Sequence, residues 1–173
     1  MKKSEIIEVV PSYFKRYVKY IRTEDAIEAL QTELEKALKF YEAFPKEKYE
    51  YRYEVGKWHV KEVLSHVIET ERVMAYRALA FSREDQNVLH GFNQDQYVVH
   101  SRAGARSFDS ILLEFEHLRK ANILMFESFD DIMMARTGRW DSLEAPVAAL
   151  AFIMAGHEMH HRQVVADRVL ELL

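Results

Sequence analysis

The sequence predicts an all-α protein, a four-helix bundle with a long crossover between helices 2 and 3 and a short N-terminal helix. Three observations predict this fold. Apolar residues recur at helical spacing in four long blocks, and no segment alternates strongly enough to compete as a strand. Only five glycines and three prolines interrupt the 173 residues. A long polar segment separates the second block from the third, which disfavours simple up-and-down wiring.

We treat residues 1–173 as one domain whose first 22 residues form a leading helical segment, broken near Pro11. Thr23 is the predicted N-cap of the first long helix, because a hydroxyl at that position can accept a free backbone N–H. Two acidic residues follow it, where the helix dipole favours negative charge. This helix is predicted to end at Pro45.

The second long helix is predicted from about Lys57, after a glycine, to about Phe81. Residues 84–104 are polar and contain two glycines without a clear period. We interpret them as the crossover, with room for one short helical piece.

Ser107 is the predicted N-cap of the third helix, and a loop through Gly138 and Trp140 is predicted to follow that helix. The last helix is predicted to begin between Ser142 and Pro146, because proline is tolerated only in a first turn. We expect it to run to the C-terminus.

The composition argues against several classes of partner. The formal net charge of −4 disfavours nucleic acid, whose phosphates require clustered basic residues. No apolar run approaches the roughly 20 residues of a membrane span, and no signal peptide is recognisable. The chain has no cysteine, so His, Asp or Glu must hold any metal. We therefore predict a cytoplasmic protein that binds neither nucleic acid nor a membrane.

The last helix carries the strongest chemical signal, the motif His-Glu-x-x-His. His157 and His161 are four residues apart, so they share one helix face, and both fall within its apolar stripe. Two imidazoles so placed can bind one divalent cation. His160 lies about 60° to one side, which places it beside the site or at the surface.

The same motif occurs in zinc metallopeptidases, where its glutamate is the general base. Those enzymes usually take a third ligand downstream, whereas only twelve residues follow His161 and none is a histidine. We therefore expect the third ligand on another helix. His59 and His66 on the second helix lie on one face with Glu62 between them, and periodicity does not choose between them.

Four stretches resemble the DinB/YfiT-like metalloprotein superfamily. They are residues 58–66 (WHVKEVLSH), 71–77 (ERVMAYR), 91–95 (GFNQD) and 155–161 (AGHEMHH). The resemblance implies a four-helix bundle that holds one divalent metal ion through three histidines. It matches His66 to the family's histidine on the second helix, and His157 and His161 to its pair on the last.

Members of this superfamily include S-transferases that use low-molecular-weight thiols such as bacillithiol, mycothiol-dependent isomerases and proteins with no evident reaction. The resemblance therefore implies a divalent-metal-dependent enzyme acting on a small molecule, as a thiol S-transferase or a hydrolase. Zinc and nickel are the expected metals. One alternative is a metal-binding stress-associated or interaction protein without turnover. Another is a structural bundle whose histidines bind nothing.

Further residues are candidates around such a site. Glu158 and Glu62 are the candidate catalytic carboxylates, as a general base or as groups that orient a ligating imidazole. Four side chains are candidates for lining the pocket: Asn93, Asp95, Tyr97 and Arg162. The basic and aromatic residues 13–20 suit either a homodimer contact or an intramolecular cap, and we favour the cap.

Overall fold

A computed structural model describes residues 1–170, which form eight α-helices and one two-stranded hairpin. The predicted all-α bundle is confirmed. Its long helices are α3 (Ala26–Glu42), α4 (Val60–Ser82), α6 (Phe108–Glu127) and α8 (Val147–Val165). The short helices are α1 (Lys3–Val9), α2 (Ser12–Val18), α5 (Gln94–Ser101) and α7 (Asp131–Ala135), and the strands are β1 (Thr137–Trp140) and β2 (Leu143–Pro146).

Side-chain caps determine where three of the long helices begin. Asp25, not the predicted Thr23, caps α3, because its carboxylate accepts two backbone N–H groups of the first turn. His59 caps α4, which therefore begins three residues later than predicted. Ser107 caps α6 as predicted.

The crossover contains the predicted short helical piece, α5, which packs against α4. The predicted loop through Gly138 and Trp140 is instead the antiparallel hairpin β1–β2. Its strands have only four residues each, too few to show a period of two. Leu89 of the crossover exchanges backbone hydrogen bonds with the end of β1, so the hairpin holds the crossover against the bundle.

Helix α8 occupies the centre of the bundle, and every residue from Val147 to Glu158 is buried. It begins after Pro146, as predicted, and continues into a π-helical turn at 166–170. The predicted extension to the C-terminus concerns residues 171–173, which lie outside the described range. Within residues 1–170, no helix is long and apolar enough to cross a bilayer.

The leading segment packs inside the monomer, because α2 lies directly on α8. A Cβ atom at Gly156 would clash with the backbone carbonyl of Tyr17, so the two helices approach as closely as glycine permits. Phe14, Tyr17 and Val18 of α2 are buried. This packing agrees with the interpretation as an intramolecular cap, and it brings an aromatic ring to the His-Glu-x-x-His motif.

Candidate metal centre

Three histidines from α4 and α8 meet inside the bundle. The Nε2 atom of His157 lies 3.1 Å from Nε2 of His66 and 3.2 Å from Nε2 of His161. One ring nitrogen from each residue lies within 4.8 Å of the other two. Among residues 1–170, no other group of three or more His, Asp or Glu side chains meets in this way. We call these three residues the histidine cluster.

The spacing of these nitrogens fits a single bound cation. Zinc–nitrogen bonds of 2.0–2.1 Å in a tetrahedral site place neighbouring ligand nitrogens about 3.3 Å apart. The Nε2 atom of His157 carries either one proton or one lone pair, so it cannot form good hydrogen bonds to both His66 and His161. A divalent cation would satisfy all three nitrogens at once. The donor set, three nitrogens without sulfur, suits zinc, nickel, cobalt or ferrous iron.

Burial keeps the histidine cluster uncharged. It lowers the pKa of His66 to about 4, although the Asp95 carboxylate opposes this shift. Burial, reinforced by the neighbouring imidazoles of His66 and His160, lowers the pKa of His161 to about 3. The pKa of His157 is lowered well below its usual value for the same reasons. Neutral imidazole is the form that binds metal, so the cluster needs no deprotonation near pH 7.

Aromatic rings pack against the imidazoles from two directions. The ring of Tyr17 stands edge-on to His157 with centroids 5.2 Å apart, and the ring of Trp58 lies 4.9 Å from His66. These contacts restrict the rotation of the two imidazole rings. The role of Tyr17 was not apparent from the sequence, because it depends on the contact between α2 and α8.

Space for a small molecule lies on either side of the histidine cluster. A cavity of about 180 Å³ reaches His157 and is lined by α2, α4, the hairpin and the start of the crossover. We call it the inner cavity, and its wall includes Thr70, Met74, Arg77, Phe92 and Trp140. A wider groove of about 390 Å³ reaches His161 and contains Trp58, Asp95 and His160. The histidine cluster therefore borders two openings, one at His157 and one at His161.

Glu158 points to an arginine rather than to the histidine cluster. Its carboxylate accepts a hydrogen bond of 2.9 Å from Nε of Arg162, which also pairs with Glu33 of α3. Burial raises the pKa of Glu158 to about 7, although Arg162 opposes that shift. Its predicted catalytic role stays a prediction, since its partners in the structure are those of a core ion pair.

Glu62 has a structural role at the start of α4. It accepts a hydrogen bond of 3.0 Å from the backbone N–H of His59, while Nδ1 of His59 accepts one of 3.1 Å from the N–H of Glu62. This is a capping box, and Arg52 donates a hydrogen bond to each of the two oxygens of the same carboxylate. His59 is therefore occupied as a cap, and the catalytic role of Glu62 also stays a prediction.

A second polar cluster lies beside the histidines. Arg119 of α6 is fully buried and donates two hydrogen bonds, of 2.7 and 2.8 Å, to the carboxylate of Glu71 on α4. We call Glu33, Glu71, Arg119, Glu158 and Arg162 the carboxylate–arginine cluster. Burial acts to lower the pKa of Arg119, but the Glu71 carboxylate outweighs it and the pKa is raised. Sequence reasoning missed this cluster, because its members lie on four helices that are far apart in the chain.

The structure separates the remaining candidates. Asp95 borders the wider groove, whereas Asn93 caps α5 and Tyr97 packs on Phe92. His160 is half-buried beside the cluster, with its ring centroid 5.2 Å from that of His161. The other three histidines are exposed: His90, His100 and His117.

The family model of the DinB superfamily matches residues 29–165, a range that includes all three cluster histidines. This chain belongs to the DinB superfamily. No match was found among curated protein sequences.

Among solved structures, the DinB fold of this chain is similar to YfiT from Bacillus subtilis, with a TM-score of 0.76 and 13% sequence identity over 85% of each chain. YfiT is described as a "probable metal-dependent hydrolase with an unusual four-helix bundle topology". At this identity the similarity shows the shared fold.

Proposed function

We propose that this DinB-superfamily protein is a divalent-metal-dependent enzyme acting on a small molecule. It either hydrolyses its substrate or transfers it to or from a low-molecular-weight thiol. The observation that carries the proposal is the meeting of three Nε2 atoms, from His66, His157 and His161, beside an open cavity. A structural site would require a fourth protein ligand, and a three-ligand site typically leaves a position for water or substrate.

The histidines, the aromatic rings and the inner cavity would each have a distinct role in such an enzyme. The three imidazoles contribute no negative charge, so a bound divalent ion would keep its full charge. Such an ion lowers the pKa of a water or thiol that binds to it and stabilises negative charge that develops on the substrate. Tyr17 and Trp58 would hold the ligating rings in place, and the inner cavity would hold the substrate beside them.

The description of YfiT as a metal-dependent hydrolase supports the proposal without choosing between the two reactions. Zinc and nickel remain our proposed metals, because neutral imidazoles suit both. The low-molecular-weight thiol remains a proposed partner on the basis of the family resemblance described above.

The first experiment measures metal content by mass spectrometry in the purified protein after loading with zinc or nickel. We expect about one ion per chain in the wild type, and a loss in His66→Ala, His157→Ala and His161→Ala. His160→Ala is the matched control, since it is on the same helix but outside the cluster, and it should retain the metal. Metal retained in the three cluster variants would contradict the assignment.

The second experiment separates the reactions with a panel of thiols and a generic electrophile, run beside a panel of activated esters and amides. Turnover that requires both metal and a thiol supports S-transfer, and metal-dependent turnover without thiol supports hydrolysis. Tightly bound metal without turnover in either panel would favour the alternative, a metal-binding protein without catalysis. Glu62→Gln and Glu158→Gln in the same assays test whether either carboxylate contributes to the reaction rather than to the fold.

A further inference from the structure

The wall of the inner cavity contains a buried cation, the guanidinium of Arg77. Arg77 of α4 is 2% exposed, and no carboxylate among the described residues forms a salt bridge with its guanidinium. One terminal nitrogen donates 2.9 Å to the backbone carbonyl of His90, and another lies 3.6 Å from the sulfur of Met74. Its Nε atom is buried without a hydrogen-bond partner among residues 1–170.

The absence of a carboxylate partner is costly, and it distinguishes Arg77 from the buried Arg119 and the half-buried Arg162. Arg119 and Arg162 each donate to a carboxylate from a neighbouring position in the core. Burial lowers the pKa of Arg77 to about 10, although Asp141 opposes that shift, so the side chain still carries its charge at neutral pH. A buried charge is normally paired, so this site would be completed by an anion from outside the chain.

A second unpartnered polar atom lies in the same wall. The Oγ1 atom of Thr70 is buried without a hydrogen-bond partner among the described residues, and Thr70 lines the inner cavity together with Arg77 and His157. His66, Thr70, Met74 and Arg77 share one face of α4 because their spacings are four, four and three residues. Polar groups that are left unpaired in a cavity are the groups that a ligand would satisfy.

We propose that Arg77 and Thr70 form the recognition end of the active site, which binds a carboxylate of the substrate while the reacting group lies at the histidine cluster. The inference rests on the proposed function, because it places the two ends of one molecule along α4. The Cα atoms of residues 66 and 77 are separated by about 16 Å of helix rise, and the inner cavity, which Arg77 and His157 both line, would hold the two ends of one extended molecule. The Arg77 guanidinium lies over the Trp140 indole, 4.9 Å from the ring centroid, and this cation–π contact would hold the guanidinium in position for the carboxylate.

The surroundings favour a monoanion over a more highly charged group. Asp141 lines the same cavity, and its carboxylate is held by the backbone N–H of Gly91 at 2.9 Å. A phosphate dianion would be repelled by this neighbour more strongly than a carboxylate. A planar guanidinium can donate two parallel hydrogen bonds to the two oxygens of a carboxylate, which also favours a carboxylate as the ligand.

The test uses matched probes in the metal-loaded protein. The probes are the mercaptoalkanoic acids from 3-mercaptopropionate to 6-mercaptohexanoate and their primary amides, which share the metal-binding thiol and differ in charge. Calorimetric titration should show that the wild type binds the acid of optimal length about ten-fold or more tightly than its amide. Arg77→Gln should remove this preference, and Arg77→Lys should restore part of it.

Two further variants separate recognition from folding. Thr70→Val replaces the hydroxyl by a methyl group of similar size, so it should leave the melting temperature unchanged or raised while weakening binding of the acids. Arg139→Gln removes an exposed arginine outside the cavity and should keep the full acid preference. Equal binding of acid and amide by the wild type, or a preference that persists in Arg77→Gln, would overturn the proposal.

Hexanoate and hexanamide, which lack the thiol, are then compared by NMR titration in protein stripped of metal. If the metal-loaded or the metal-free protein prefers the acid, and Arg77→Gln removes that preference, the carboxylate site at Arg77 is supported even when the proposed metal centre is not. If neither the metal-loaded nor the metal-free protein prefers the acid, the carboxylate site at Arg77 is overturned. The metal content of the histidine variants then tests the proposed function separately.

Discussion

The bundle core holds two clusters of polar side chains, and both involve α4 and α8. In the carboxylate–arginine cluster, Arg119 pairs with Glu71 and Arg162 pairs with Glu158 and Glu33, so each arginine meets a carboxylate. In the histidine cluster, three groups of one kind face each other. The first cluster is complete within the chain, whereas a cation would be needed to complete the second.

From this difference we expect the first cluster to hold the bundle together and the second to bind a ligand. Buried charges remain stable when an opposite charge and several hydrogen bonds satisfy them, and removing one partner is strongly unfavourable. Neutral imidazoles can be removed from a core at a smaller cost, and their alignment around one point is explained by a ligand. Stability should therefore depend most on the first cluster, and metal binding on the second alone.

The largest effect is expected from Arg119→Met, which leaves the buried Glu71 carboxylate without its cation. We expect a loss of about 3–5 kcal/mol in the free energy of unfolding, measured by urea denaturation. The double variant Glu71→Met and Arg119→Met should recover at least half of this loss, because it removes both charges together. A double variant as unstable as the single one would contradict the comparison.

The next effect concerns the histidine cluster and appears only when metal is present. At a free metal concentration one hundred times the dissociation constant, we expect the wild type to gain about 2.7 kcal/mol of stability. His157→Ala should gain nothing, whereas the exposed control His117→Ala should gain as much as the wild type. The measurement is urea denaturation with zinc and with a chelator. If zinc raised the free energy of unfolding of His157→Ala as much as that of the wild type, the metal would bind outside the histidine cluster.

A smaller effect is expected where α2 packs against the histidine cluster. Gly156→Ala inserts a methyl group against the backbone of Tyr17 and should lower stability by about 1–3 kcal/mol and weaken metal binding. Gly104→Ala is the control, because its new Cβ atom would meet only the His59 ring at an ordinary contact distance of 3.5 Å. Similar losses in both variants would show that the contact between α2 and α8 is not tight.

The smallest effect is expected from Glu62→Ala, which removes the capping box of α4. We expect a loss of about 1 kcal/mol with unchanged metal content, because the carboxylate contacts His59 and Arg52 rather than the cluster. Glu35→Ala, at an exposed position of α3, should change stability by less than about 0.5 kcal/mol. A loss of metal in Glu62→Ala would show that Glu62 contributes to the metal site and not only to the helix cap.

The sequence by itself determined the helices and the chemistry of the last one. Four apolar periods predicted the four long helices, and a spacing of four residues predicted that His157 and His161 share a face. Both predictions succeed because they concern neighbouring turns of one helix, whose geometry is local. The choice of His66 over His59 was available only through the family resemblance.

Tertiary structure alone decided which side chains meet across helices. Tyr17 contacts His157 because Gly156 allows α2 to pack closely on α8. Arg119 is buried in the core because the carboxylate of Glu71 on α4 neutralises its charge. The hairpin and the crossover close the inner cavity around Arg77. No local pattern encodes these meetings, since they depend on how helices far apart in the chain are rotated and packed.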